Sequence, residues 1–84
     1  MDSSEKVLKR RIYIHFLQCR SRGSLSISYL AKETGYSRQK IYDMMNENSS
    51  TEITLRFLKF YAKATDTSIN YWLTEGRNNT DQKD

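Results

Sequence analysis

The run Ser37-Arg38-Gln39-Lys40 sets four hydrogen-bonding side chains within a single helical turn. An arginine fork can bond guanine bidentately, a glutamine amide can bond adenine in the same way, and lysine and serine can hold phosphates or bases. Covalent chemistry has much less to draw on. His15 is the only histidine and Cys19 the only cysteine, so no disulfide framework and no cysteine- or histidine-rich metal site can be built. No phosphate-cradling glycine loop occurs, and no two carboxylates share a helix-fixed geometry. Tyr42 has the side chain of a recombinase nucleophile, but the Arg/His constellation which that chemistry needs has no counterpart here. The chain is expected not to be an enzyme and to use no cofactor and no metal. Cys19 reads as a small buried apolar residue, and His15 as a structural or surface one.

The elements that must position the run are helical, since the apolar spacing is helical almost throughout. A first helix is expected over residues 4–20, capped by Asp2 or Ser3, with Leu8, Ile12, Phe16 and Cys19 on one face and Val7, Tyr13, Ile14 and Leu17 spread over the others. Ser21-Arg22-Gly23-Ser24 breaks it. A second is expected over 26–34, capped by Ser26, with Leu30 and Ala31 inward and Gly35 ending it at positive φ. A third is expected over 37–46, capped by Ser37, with Ile41 and one of Met44 and Met45 inward. The segment 46–51 is a polar loop. A fourth is expected over 54–65, with Leu55, Leu58, Tyr61 and Ala62 as its stripe, Phe57 widening it and Phe60 off it. A short fifth spans 68–73 and is stopped by Gly76. Residues 1–76 are thus expected to be the domain, and 77–84 a polar, disordered tail.

A glycine between two short helices permits a sharp turn, of roughly 90–120°. Ala31 would be small because the next helix crosses it, and Ile41, Leu30, Tyr36 and Met44 would fill the wedge. That is the layout of a helix-turn-helix, whose second helix can enter a major groove with its N-terminal residues at base edges. Small bundles also join helices through glycine, and surface helices are often rich in Arg, Gln and Lys, so this pattern alone leaves both readings open.

Composition narrows the field. The chain has 84 residues, 37% hydrophobic, ten of them aromatic, and no proline. That suffices for one small core. Its formal charge is +4, and residues 1–50 hold nine Lys and Arg against five Asp and Glu, whereas 51–84 hold five against five. A basic N-terminal half favours an anionic partner. No run of 18 apolar residues could span a membrane, and Met-Asp-Ser-Ser-Glu-Lys at the start has no signal-peptide character. A cytoplasmic location without membrane partners is expected.

Leu8 and Ile12, the stretch Leu30-Ala31-Lys32-Glu33-Thr34-Gly35-Tyr36-Ser37-Arg38-Gln39-Lys40-Ile41-Tyr42-Asp43-Met44, the polar loop, Leu58-Lys59-Phe60-Tyr61-Ala62-Lys63-Ala64 and Ser68-Ile69-Asn70-Tyr71-Trp72-Leu73-Thr74-Glu75-Gly76 together resemble the phage-repressor and Cro-like helix-turn-helix proteins of the xenobiotic-response-element family. The resemblance covers roughly residues 8–76. It implies an all-α, five-helix, lambda-repressor-like domain, and a cytoplasmic homodimer acting as a transcriptional repressor or autoregulator on an inverted-repeat, double-stranded DNA operator. It implies Ser37, Arg38, Gln39, Tyr42 and Asp43 as base readers. It implies Ser26, Ser28, Lys40 and the loop residues Asn46, Ser49, Ser50 and Thr51 as phosphate contacts. Ile27 stands where the family often has Gln, and Met45 and Glu47 replace its usual Glu and Gly. An antirepressor or antitoxin that keeps the fold and binds a partner protein, such as another repressor, is the alternative. For a dimer, Phe60, Tyr71, Trp72 and Leu73 offer apolar surface, although Trp72 and Leu73 could equally close the core over the first helix.

Overall fold

Three of the helices begin where a hydroxyl can accept a backbone N–H. The Ser26, Ser37 and Thr54 side chains each accept from the residue three positions on, Tyr29, Lys40 and Phe57, at 3.1 Å. Each of the three has extended backbone, as an N-cap requires. The computed structural model describes residues 3–73, with side chains from Glu5 onward. Its helices are α1 (Ser3–Ser21), α2 (Ile27–Thr34), α3 (Arg38–Met45), α4 (Leu55–Ala64) and α5 (69–73). The protein is all-α, with no strand among the described residues. Asp2 as a cap, Gly76 as a stop and the tail 77–84 lie outside the described residues.

Three of the helices, α1, α2 and α4, end by left-handed turns. Gly23 (φ 78°) closes α1, with Gly23 N–H donating to Arg20 O and Ser24 N–H to Cys19 O. Gly35 (φ 83°) closes α2 and donates to Ala31 O. A Cβ at Gly35 would meet Arg56 Nη2 at 3.5 Å, an ordinary contact. The glycine is therefore required by its backbone angle, not by lack of room. Asp66 (φ 59°) does the same after α4, with Thr67 N–H returning to Ala62 O at 2.8 Å. Aspartate is among the few side chains that tolerate this region.

α2 packs on α3 and α4, and α1 packs on α3. Ile12, Phe16 and Cys19 from α1 meet Leu30, Ile41, Met44, Met45, Phe57, Leu58, Tyr61 and Trp72 in one core. Two details differ from the sequence reading: Met44 and Met45 are both buried where only one was expected inward, and Leu55 is not part of the buried stripe. Phe57 is fully buried, whereas Leu55, expected on the stripe, is 56% exposed. Leu55 is the first residue of α4, and a helical side chain leans toward its N-terminus, so this one overhangs the helix end. Leu25, just after the α1 turn, joins the core.

The largest departure is Lys9, which is 0% exposed. Its Nζ donates to the carbonyls of Asp43 (3.4 Å), Asn46 (3.2 Å) and Ser49 (2.9 Å). An ammonium has three donors, and all three are used. The cation lies at the C-terminal, electronegative end of α3 and also ties down the loop that follows. The signal for it was spacing: 9, 12, 16 and 19 continue the buried stripe of α1.

Candidate nucleic-acid interface

α3 is held from behind by Ile41, Met44 and Met45, all essentially fully buried. Its other side therefore faces solvent, and carries Arg38, Gln39, Lys40 and Tyr42, with Asp43 half-buried at its edge. Of the five expected base readers, Ser37 caps α3, and Arg38, Gln39, Tyr42 and the half-buried Asp43 follow along its solvent side.

In the free protein several of them already have partners. Arg38 Nη2 donates to Ser28 Oγ at 2.9 Å, which links the start of α3 to the first turn of α2. Gln39 Nε2 donates to Asp43 Oδ1 at 2.9 Å, one helical turn on. Ser37 is committed as the cap of α3 through its lone pairs, but a hydroxyl keeps its O–H to donate. Ser26, the cap of α2, is in the same position, and so is Ser28. Lys40 is exposed, with its ammonium 5.3 Å from the centre of the Tyr36 ring.

The turn between α2 and α3 is braced from α4. Arg56 Nη2 donates to Thr34 O at 2.6 Å, and the guanidinium lies 5.3 Å from the Tyr36 ring centre. Thr34, itself buried, donates to Leu30 O and accepts from Tyr36 N–H. The Tyr36 hydroxyl and Thr54 Oγ1 are 2.8 Å apart. A cation at the end of α2 complements its dipole.

The loop after α3 is folded on itself. Asn46 Oδ1 accepts from Asn48 N–H, and Ser49 Oγ accepts from Thr51 N–H. With Lys9 beneath, Asn46 and Ser50 remain exposed, while Ser49 and Thr51 are half-buried. Ile53 N–H donates to Glu5 Oε2 at 3.0 Å, so α1 grips the far end of the loop as well.

The four residues offered as a dimer surface separate. Tyr71 and Leu73 are exposed and Phe60 is half-buried with its ring centre 5.9 Å from that of Tyr29. Trp72 is a core residue, 3% exposed, and is withdrawn from that surface. Its indole N–H donates to Thr67 Oγ1 at 2.8 Å, and its ring meets His15 and Tyr61 edge-on. His15 Nδ1 lies 2.6 Å from the Tyr61 hydroxyl. Burial, and then the Arg22 charge, lower the His15 pKa from 6.5. Burial also raises that of Tyr61, with Cys19 adding to it. Arg11 stacks on the same group, its guanidinium 5.0 Å from the Trp72 ring centre and its Nη1 donating to Trp72 O.

Among the described residues no group of three or more His, Cys, Asp or Glu could hold a metal, and no helix is long and apolar enough to cross a membrane. The chain matches no protein-family model, no curated protein and no solved structure.

Proposed function

We propose that this protein is a sequence-specific DNA-binding repressor or autoregulator of a phage or mobile element, with a lambda-repressor-like helix-turn-helix. It works in the cytoplasm, without catalysis or cofactor, as a homodimer whose two α3 helices read half-sites about 34–36 Å apart. One observation carries the reading: a serine-capped helix after a left-handed glycine, anchored by Ile41, Met44 and Met45, with Arg38, Gln39 and Tyr42 outward. Ser26, Ser28, Lys40 and the loop residues Asn46, Ser49, Ser50 and Thr51 are the phosphate contacts in this proposal. Asp43 and Ser37 are readers beside Arg38 and Gln39. Tyr71 and Leu73, with the partly buried Phe60, supply the dimer surface.

The test is selection from a randomised duplex pool, followed by titration of the selected site. Arg38→Ala or Gln39→Ala should cost about 1–3 kcal/mol on that site and less on random DNA. Equal losses on both would reduce these residues to backbone contacts. Affinity should also fall steeply with salt as counterions are released.

A second reading, in which the domain binds a protein as an antirepressor or antitoxin, draws on the exposed apolar residues Ile14, Tyr29 and Leu55. A folded protein that selects no duplex would favour it.

A further inference from the structure

α4 carries a groove of which the DNA reading uses only the rim residue Phe60. It runs between the end of α2 and the outer face of α4 and is lined by Glu33, Leu55, Arg56, Lys59, Phe60 and Lys63, with Thr34 at its base. Arg56, Lys59 and Lys63 repeat at intervals of three and four, so they form one stripe. Lys59 and Lys63 are exposed, and neither has an ion pair or side-chain hydrogen bond among the described residues. Beside this stripe lie Leu55, the most exposed large apolar residue described, and Phe60, on which the 46% exposed Tyr29 leans. Glu33 alone opposes three cations.

We infer that this groove docks an acidic amphipathic helix of a partner protein. Such a helix lays its apolar side on Leu55, Phe60 and Tyr29 and sets its carboxylates against Arg56, Lys59 and Lys63. From Leu55 to Lys63 the floor spans about 12 Å at 1.5 Å per residue, enough for two turns of a docked helix. Nucleic acid would satisfy the cations but offers little aliphatic surface to cover Leu55, and Glu33 would face its phosphates. Glu33 also directs the partner's carboxylates toward the α4 side of the groove. The inference goes beyond DNA reading and does not depend on it.

The test uses the full chain and a fluorescein-labelled helical peptide of Leu, Glu and Ala, with Leu at positions 1, 4 and 8 of its apolar face. The controls are the same peptide with Lys for Glu and a random-sequence duplex, all read by anisotropy. The acidic peptide should bind and the basic one should not. Lys59→Glu with Lys63→Glu should weaken the acidic peptide at least ~10-fold, equivalent to one decade of Kd. Leu55→Ala, at an exposed position, should weaken it several-fold while circular dichroism stays native. The duplex should lose less than the peptide in the lysine variant. Failure of the acidic peptide to bind would overturn the proposal. So would indifference to Leu55→Ala, or a parallel loss of peptide and duplex, which would make the stripe a phosphate contact.

Discussion

α1 and α4 each carry a cluster of cations, and the two clusters differ in what they do. Lys9, Arg10 and Arg11 follow one another on α1, and all three are engaged within the fold. Lys9 is buried among carbonyls, Arg10 pairs with Glu47 at 2.8 Å, and Arg11 stacks on Tyr71 and Trp72. On α4, Arg56 braces the α2–α3 turn, but Lys59 and Lys63 remain uncommitted. Formal charge placed the whole positive excess in the N-terminal half. The run Lys9–Arg11 nevertheless has its partners within the protein, whereas part of the charge-balanced half faces outward, unpaired among the described residues. A sum over sequence counts charges without regard to whether an anion from outside can reach them.

The sharpest way to break this contrast is Lys9→Met, which keeps the stem and deletes the ammonium. Three carbonyls lose their donor, and the change should cost on the order of 2–3 kcal/mol in chemical denaturation. A midpoint unchanged from wild type would mean that the buried cation is not needed for the loop and α3 to hold together. A smaller effect is expected at His15, another polar group of α1 turned toward the core. Its folded-state pKa is depressed below 6.5, so the fold favours the neutral ring. The associated stability is present above pH 6.5 and is lost as pH falls through the folded value. Melting temperature should drop between ~pH 7 and ~pH 5, and His15→Gln should make that drop shallower. An identical slope in the variant would assign the acid sensitivity to carboxylates instead. A smaller effect still should follow from Arg10→Gln, since the Arg10–Glu47 pair is exposed and such pairs are worth about 0–1 kcal/mol. Lys59→Gln should leave stability within about 0.5 kcal/mol, as surface changes without partners do.

Much of this fold is readable in the sequence. The caps Ser26 and Ser37, the left-handed Gly35 and the loop after Asn46 follow from local chemistry, which acts over three or four residues. The face of α3 turned to solvent followed from the spacing of Ile41 and Met44. What escaped depended on neighbours distant in sequence. Lys9 has its partners 34 to 40 positions away, and its type argued for solvent although its spacing argued for the core. Trp72 needed Thr67 for its N–H and the His15 ring for its face. Leu55 obeyed the stripe but sits at the tip of its helix, where periodicity says nothing about how far the core extends. Thr65 and Thr67 are polar residues just past α4, in a segment where no role is evident from spacing. In the structure they close the end of α4, with Thr65 Oγ1 donating to Tyr61 O and Thr67 accepting the indole N–H.

The bonds from Arg38 to Ser28 and from Gln39 to Asp43 give the outward face of α3 a resting arrangement. On the proposed reading, this bears on how a site is found rather than on how tightly it is held. A reader pressed against a mismatched base would be stripped of water and left without a partner. With an internal partner to return to, it avoids that penalty, and the protein can stay on unrelated DNA through its backbone contacts alone. Only where a base offers a better bond does the side chain swing out. Scanning and reading would then be two rotameric states of the same four residues, exchanged without any movement of the backbone.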